Sequence, residues 1–446
     1  MMKKSLLPFL ACLVIFLAAC KKNALNEVQP VQATFQLSFD AATKDLGLSL
    51  TGTEITLTNK MDGTINKAKA DKDGKVIFAS ITPGNYSAIA SLTIKAADYT
   101  VLTGTYIAQD IVFNGSLETN VTASNGVLAI TLKSGTLGNW VIKQVYYGGS
   151  STTEGAVFRD QFIEIFNNSN ELLYADSLYV SQILGKNTKV SAVDVTQPAF
   201  QANGQYNWAN SIDMKSANPN TEYVYIRTVL MIPGTGKTYP VQPGTSIIIA
   251  QNALNHKASY VGPTGTTYSV KNPALTIDLS KADFETYHGN LPGINPLASD
   301  VDNPLVMNTI PMITDGDRDL ILNANGWEGI VIFKMKDSPL TLPSYAAPDV
   351  KAITSTTTLY KQLPITTIID GVDIARTVVA DRAAKRIPDA VDAGFTFTPG
   401  GSYSSQSVIR KTSTTVGSRR ILKDTNNSTA DFDYLTIADP TKTVFK

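Results

Sequence analysis

Thiols and imidazoles are nearly missing from this sequence: its 446 residues hold two cysteines, Cys12 and Cys20, and two histidines, His256 and His288. No C-x-x-C or H-x-x-x-H spacing is present, so the common zinc frameworks are excluded. No serine sits in a G-x-S-x-G elbow, which removes that route to an activated hydroxyl nucleophile. A surplus of one charge is missing too, with 38 basic and 38 acidic residues. Nucleic-acid binding through bulk electrostatics needs such a surplus and is excluded. Charged residues make up 17%, below the roughly 25% of average soluble domains. What is present is 43% hydrophobic residues, 30 Gly and 21 Pro, the make-up of a folded, turn-rich chain with room for two to four domains.

The N-terminus carries an address. Lys3 and Lys4 precede an apolar stretch over 6–19, which falls short of the about 20 residues a bilayer-spanning helix needs. It reads as a secretory signal peptide over 1–19. Leu17-Ala18-Ala19-Cys20 resembles a bacterial lipobox, so Cys20 is expected to be lipidated and to begin the mature chain. Cleavage there removes Cys12 and acylation consumes Cys20, leaving no thiol for a disulfide. The expected location is the outer membrane, held by several acyl chains. Lys21-Lys22-Asn23 follows the cysteine and the first acid is Glu27, which leaves the periplasmic face and the cell surface both open.

Residues 20–33 read as a polar tether. From 34 to 133 apolar and polar residues alternate, as in Thr34-Phe35-Gln36-Leu37-Ser38-Phe39 and Glu54-Ile55-Thr56-Leu57-Thr58. Short turn signals separate these runs, which predicts a β-sandwich. Asp71-Lys72-Asp73-Gly74-Lys75-Val76-Ile77-Phe78 and Ile81-Thr82-Pro83-Gly84-Asn85-Tyr86 resemble the prealbumin-like, carboxypeptidase-regulatory-like modules of secreted proteins. The resemblance implies a spacer or interaction platform without catalysis.

A second region runs over 140–446. Trp140 to Ser150, then Asp160-Gln161-Phe162-Ile163-Glu164-Ile165-Phe166-Asn167-Asn168-Ser169, resemble the opening of a lamin-tail domain. Pro243-Gly244-Thr245 before Ser246 to Ala250, and Ser418 to Ile421 with Asp424 to Phe432, resemble its later strands. The resemblance brackets about 140–435 and implies an Ig-like β-sandwich with long insertions. The combination is similar to a family of Bacteroidota cell-envelope lipoproteins of unknown function, which implies a role near outer-membrane transporters. Segments 200–222 and 285–312 are rich in Asn, Pro and Gly and read as loops. Val379, Ala383 and Ile387 recur every four positions and predict a helix over 376–387, ended by Pro388. Arg382, Lys385 and Arg386 would lie on its solvated face.

Candidate chemistry is sparse. Asp315-Gly316-Asp317-Arg318-Asp319 resembles a calcium loop, but Leu320 and Gly326 stand where the full motif needs Gly and Glu. Asp315, Asp317 and Asp319 are therefore candidate ligands for calcium in another geometry, against a solvated turn. Aromatic residues concentrate over 140–210; those in strands, such as Trp140, are expected in the core. Tyr146 and Tyr147 beside Gly148-Gly149, and Tyr206 and Trp208 among asparagines, are expected either to face a sugar or peptide or to plug a loop. In a sandwich, recognition falls to loops, here Tyr146 to Arg159, Gln201 to Thr221 and 285–319. The candidate ligand contacts are Tyr147, Trp208 and His288, the last for a metal or haem.

The expected class is thus mainly β, an N-terminal sandwich followed by a larger lamin-tail-like one with few short helices. The expected function is a non-enzymatic, lipid-anchored binding or accessory protein of a TonB-dependent uptake system. Its partners would be the membrane, an outer-membrane β-barrel transporter, and a glycan, peptide, metal or haem ligand. Alternatives are a structural or adhesion lipoprotein and, more weakly, a metal-dependent hydrolase using His256 and His288.

Overall fold

The computed structural model describes residues 29–446 apart from 41, 42, 45, 104–109, 135–138, 170 and 417. The signal peptide, Cys20 and most of the tether lie outside the described residues. Strands β1 (Val31–Phe39), β2 (Glu54–Asn59), β3 (Ile65–Lys69), β4 (Lys75–Ile81), β5 (Gly84–Ile94), β6 (Ile111–Val121) and β7 (Leu128–Ser134) form one sheet in the order β3-β2-β5-β6-β7-β1-β4. A helix over Ala96–Thr103 joins β5 to β6. Among the described residues two pairs connect β6 to β7, so the sheet folds there into two faces around one core. Period-two alternation builds that core: Ala33, Phe35 and Leu37 from β1 meet Ile55 and Leu57 from β2 and Val76 and Phe78 from β4. The β3–β4 turn is closed by Asp71, whose Oδ1 accepts the N–H groups of Asp73 and Lys75, both at 2.9 Å. Gly74 takes φ +75° there, and a Cβ on it would lie 2.9 Å from the Leu37 carbonyl.

Two seven-stranded sheets follow. One is built on β8 (Trp140–Tyr146) and β9 (Phe162–Asn167), flanked by Ser246–Ala250, Phe284–Glu285 and Met307–Asn308 on one side and by Ser407–Arg410 and Phe432–Leu435 on the other. The second contains Ser344–Ala346, Leu359–Pro364, Tyr223–Met231, Tyr179–Ile183, Glu328–Phe333 and Ile368–Ile374 in that order, with Ile310–Ile313 paired to Tyr223–Met231. Ile142, Ile163, Ile165 and Ile249 from the first meet Val180, Leu230, Ile332 and Val372 from the second in one core. The molecule is mainly β, as its alternation and turns predict. The central strands β8, β9, Tyr179–Ile183 and Glu328–Phe333 are buried along their whole length rather than on one face. The buried run of β8 tolerates Lys143 because the register slips between Ile142 and Gln144. The ammonium then meets Glu164 at 3.0 Å and the Phe445 ring at 4.0 Å.

The helix expected over 376–387 is absent. A single 3-10 turn, Val379–Asp381, is followed by extended backbone at Arg382. Tertiary anchors override the four-residue periodicity. Asp373 Oδ2 accepts the N–H groups of Arg386 at 2.6 Å and Ile387 at 3.1 Å, removing them from any helical ladder. Arg382 donates from Nε to the Arg376 carbonyl at 2.8 Å. The three basic residues are accordingly half-buried rather than solvated.

Candidate functional site

The two sandwiches meet through polar contacts. Asn114 Nδ2 donates to the carbonyls of Thr425 and Asn426, and Asp389 Oδ2 accepts the N–H and hydroxyl of Ser116. Beside this seam opens a cavity of about 370 Å³ whose walls come from both. From the first sandwich it takes Lys60 and Glu118, which pair with each other. From the second it takes Gln201, Asn203 and Gln205, then Trp327 and Arg382.

Each wall has a local cause. The segment bearing Gln201, Asn203 and Gln205 is fixed by stacked rings, Phe200 on Tyr206 at 5.5 Å and Trp208 on Tyr225 at 3.3 Å. Gln205 Nε2 donates to the Lys385 carbonyl at 3.0 Å, and Asn203 Nδ2 to Gln205 Oε1 at 2.8 Å. Trp327 sits at the mouth of the strand Glu328–Phe333, behind a turn closed by the Gly326 N–H to the Asn323 carbonyl at 2.9 Å. Gly326 has φ +80°, and a Cβ there would stand 2.6 Å from the Ala375 carbonyl. The Trp327 indole N–H has no protein partner, while the Arg376 guanidinium lies 5.3 Å from its ring. Arg382 is held between Phe395 and Phe397, at 4.4 and 4.6 Å. Burial lowers its pKa to about 10, so it remains a cation at neutral pH. Among the described residues it forms no ion pair.

Of the three loops nominated from sequence, only 201–221 lines the cavity. Tyr147 is corrected to a core residue, 1% exposed, with its hydroxyl bonded to Thr398 Oγ1 at 2.9 Å. The Gly148-Gly149 that follow it pack against the 401–405 turn, whose N–H groups reach their carbonyls; they do not open a loop to solvent. Trp208 is also a plug, 6% exposed, and its ring face is spent on Tyr225. His288 is buried, donates from Nδ1 to the Asp317 carbonyl at 3.1 Å, and is held below its ordinary pKa by burial. His256 is likewise buried; Nε2 donates to the Asn252 carbonyl at 3.0 Å, and burial lowers its pKa to about 4. Neither histidine lines the cavity. Asp315 and Asp317 share Arg227, at 3.4 and 2.6 Å, whereas Asp319 turns inward and is 2% exposed. The three carboxylates do not converge. Trp327 and Arg382 were not legible as ligand contacts, because the topology joins positions far apart in sequence. The one local hint was an indole directly after an Asn-Gly turn.

The fold and this cavity define a two-sandwich β protein with a cleft between its parts. A sequence family described as a protein of unknown function (DUF4876) matches residues 242–438, less than half of the chain. Among solved structures, a DUF4876 family protein from Bacteroides thetaiotaomicron is similar over 91% of this chain and 95% of its own, at 23% identity and TM-score 0.50. A DUF3823 family protein from Parabacteroides merdae aligns over 35% of this chain and 67% of its own, at 10% identity and TM-score 0.15. The first likeness bears on the fold alone and the second carries no argument. No curated protein matches the chain.

Proposed function

We propose that this is a non-enzymatic binding protein of the cell envelope, lipid-anchored through Cys20 and serving an outer-membrane β-barrel transporter. Its cleft between the sandwiches would hold an acidic glycan. The observation that carries the reading is the wall itself: amide side chains, the Trp327 indole and an unpaired guanidinium around about 370 Å³. Amides match hydroxyl groups, a flat indole face matches a sugar ring, and Arg382 matches a carboxylate. Lipobox residues Leu17-Ala18-Ala19-Cys20 support the anchor. The structural or adhesion alternative uses the same anchor without the cleft.

Calorimetric titration with neutral and uronic-acid oligosaccharides tests the cleft. Trp327→Ala should weaken binding about tenfold or more, the loss of a well-packed aromatic anchor. The preference for acidic over neutral sugars should vanish in Arg382→Ala. No binding to any member of the panel, or equal binding by the Trp327 variant, removes the reading. Labelled palmitate that still enters a Cys20→Ala chain would remove the anchor.

A further inference from the structure

Beyond the ends of the strand Ser246–Ala250 and its parallel neighbours Phe284–Glu285 and Met307–Asn308, the chain seals three carboxylates inside itself. Glu285 is 1% exposed, and Asp300 and Asp319 are each 2% exposed. Among the described residues no Lys, Arg or His stands against them to offset the charge. Glu285 is settled by the main chain, which gives it the N–H groups of Asn303 at 2.6 Å and Ala253 at 3.0 Å. The other two are not. Asp319 accepts the Leu320 N–H on Oδ1, but its Oδ2 and that of Asp300 have no partner.

Two neutral side chains point to a ligand independently of the acids. Gln251 Oε1 and Asn252 Oδ1 are also without partners, on residues 1% and 2% exposed. The Asn252 amide cannot be turned over to cure this, because its Nδ2 donates to the Ser299 carbonyl, next to Asp300, at 2.9 Å. The Gln251 side chain stands beside the Asp319 carboxyl, which in turn feels the charges of Asp300 and Glu285. The result is a buried group of acceptor oxygens that lacks donors. Each such oxygen is unfavourable when buried without a donor, and more so when charged.

We propose that Asp300, Asp319, Gln251 and Asn252 hold one calcium ion that ties together the segments following these parallel strands. Two carboxylates balance a divalent charge, and amide oxygens are ordinary calcium ligands, with water completing the shell. The donor set has no sulfur or imidazole, which disfavours zinc. No three of His, Cys, Asp and Glu stand together as a metal group among the described residues, in keeping with a set that is half amide. The calcium suggested by the 315–319 motif thus moves to Asp319 alone of that trio, because Arg227 takes the other two.

The full chain, stripped with EGTA and titrated with calcium chloride at pH 7.5, tests this by calorimetry and thermal unfolding. One ion should bind per chain. At a hundredfold excess over Kd the melting temperature should rise about 5–10 °C, with a smaller rise for magnesium. Asp300→Asn combined with Asp319→Asn should melt at or above the calcium-free parent, because repulsion is relieved, and should not respond to calcium. If that variant fails to fold, the parent titration decides alone. A parent that takes up no calcium overturns the proposal. A double variant that keeps the calcium response overturns it as well.

Discussion

Among the described residues, every ion pair in the first sandwich lies near solvent, with side chains from 23% exposed in Glu118 to 84% in Lys72. The second region buries Lys143 with Glu164, and Arg410 with Asp370, Asp424 and Asp431, at 6% exposure or less. The first holds itself with apolar alternation and needs no internal charge. The second covers both faces of its sheets and carries long irregular segments, whose carbonyls and turns end inside the protein. Those ends need strong partners. Arg410 shows how: it donates to the carbonyls of Ile142 and Lys423, at 2.9 and 3.1 Å, and to Asp370 in the facing sheet at 2.6 Å. Arg410 acts as a pin between the two sheets, while Lys143 and Glu164 join neighbouring strands of one sheet, and each is only as good as its complete set of partners.

The largest effect should come from removing a pin. Arg410→Ala leaves three buried carboxylates without their cation and should cost about 3–5 kcal/mol. Arg410→Lys should not restore it, since one ammonium cannot serve a fork of separated acceptors. Denaturant unfolding followed by tryptophan fluorescence reads this region alone, because all three Trp, at 140, 208 and 327, lie within it. Phe35→Ala in the first sandwich should cost a similar ~3–5 kcal/mol through a cavity, visible by circular dichroism but not in that fluorescence transition. Equal fluorescence shifts from both changes would end the distinction between the two regions.

A smaller effect separates them by pH. Asp160 is buried, and burial raises its carboxyl to about 6 despite hydrogen bonds from Thr276, Ser150 and Tyr146. The folded state therefore holds this proton more tightly than the unfolded chain does. Stability from this group is full below about pH 4, falls as pH rises to about 6, and levels off beyond, a change on the order of 2–3 kcal/mol. Asp110 in the first sandwich has the opposite sign. Burial alone would raise it, but Lys95 and the Ala96 N–H hold it below its usual value, so its contribution is lost as pH falls through the acid range. Asp160→Asn should flatten the tryptophan-reported slope between pH 4 and 6; an unchanged slope would assign it to other buried carboxyls.

The same contrast explains what could be read from sequence. Thr34 to Phe39 and Glu54 to Thr58 declare their buried face by period two, and Asp71 to Gly74 declares its turn, because in a one-faced strand burial is a local pattern. Trp140 reads as core and is 4% exposed. Tyr147 and Trp208 read as available for recognition because Gly and Asn surround them. Yet Gly148 and Gly149 pack against the 401–405 turn, and the Tyr225 ring covers Trp208. Periodicity over 376–387 fails for a related reason, since Asp373 captures the N–H groups a helix would use. The amide-rich 201–221 segment does reach the cleft, whereas Trp327 and Arg382 join it only through sheet topology.

The smallest predicted effect tests whether exposure, rather than residue chemistry, separates the regions. Lys67 and Glu54 make the same kind of pair as Lys143 and Glu164, at 2.6 Å against 3.0 Å. The shorter one, across neighbouring strands β2 and β3, is 57% and 39% exposed; the longer is 1% and 0%. Water solvates the first pair in both folded and unfolded states, so Lys67→Ala should change stability by under ~0.5 kcal/mol, fading further in salt. Chemical unfolding of the parent and variant at low and high ionic strength gives the number. A loss of several kcal/mol would mean that the first sandwich also depends on its ion pairs, and that distance outweighs burial.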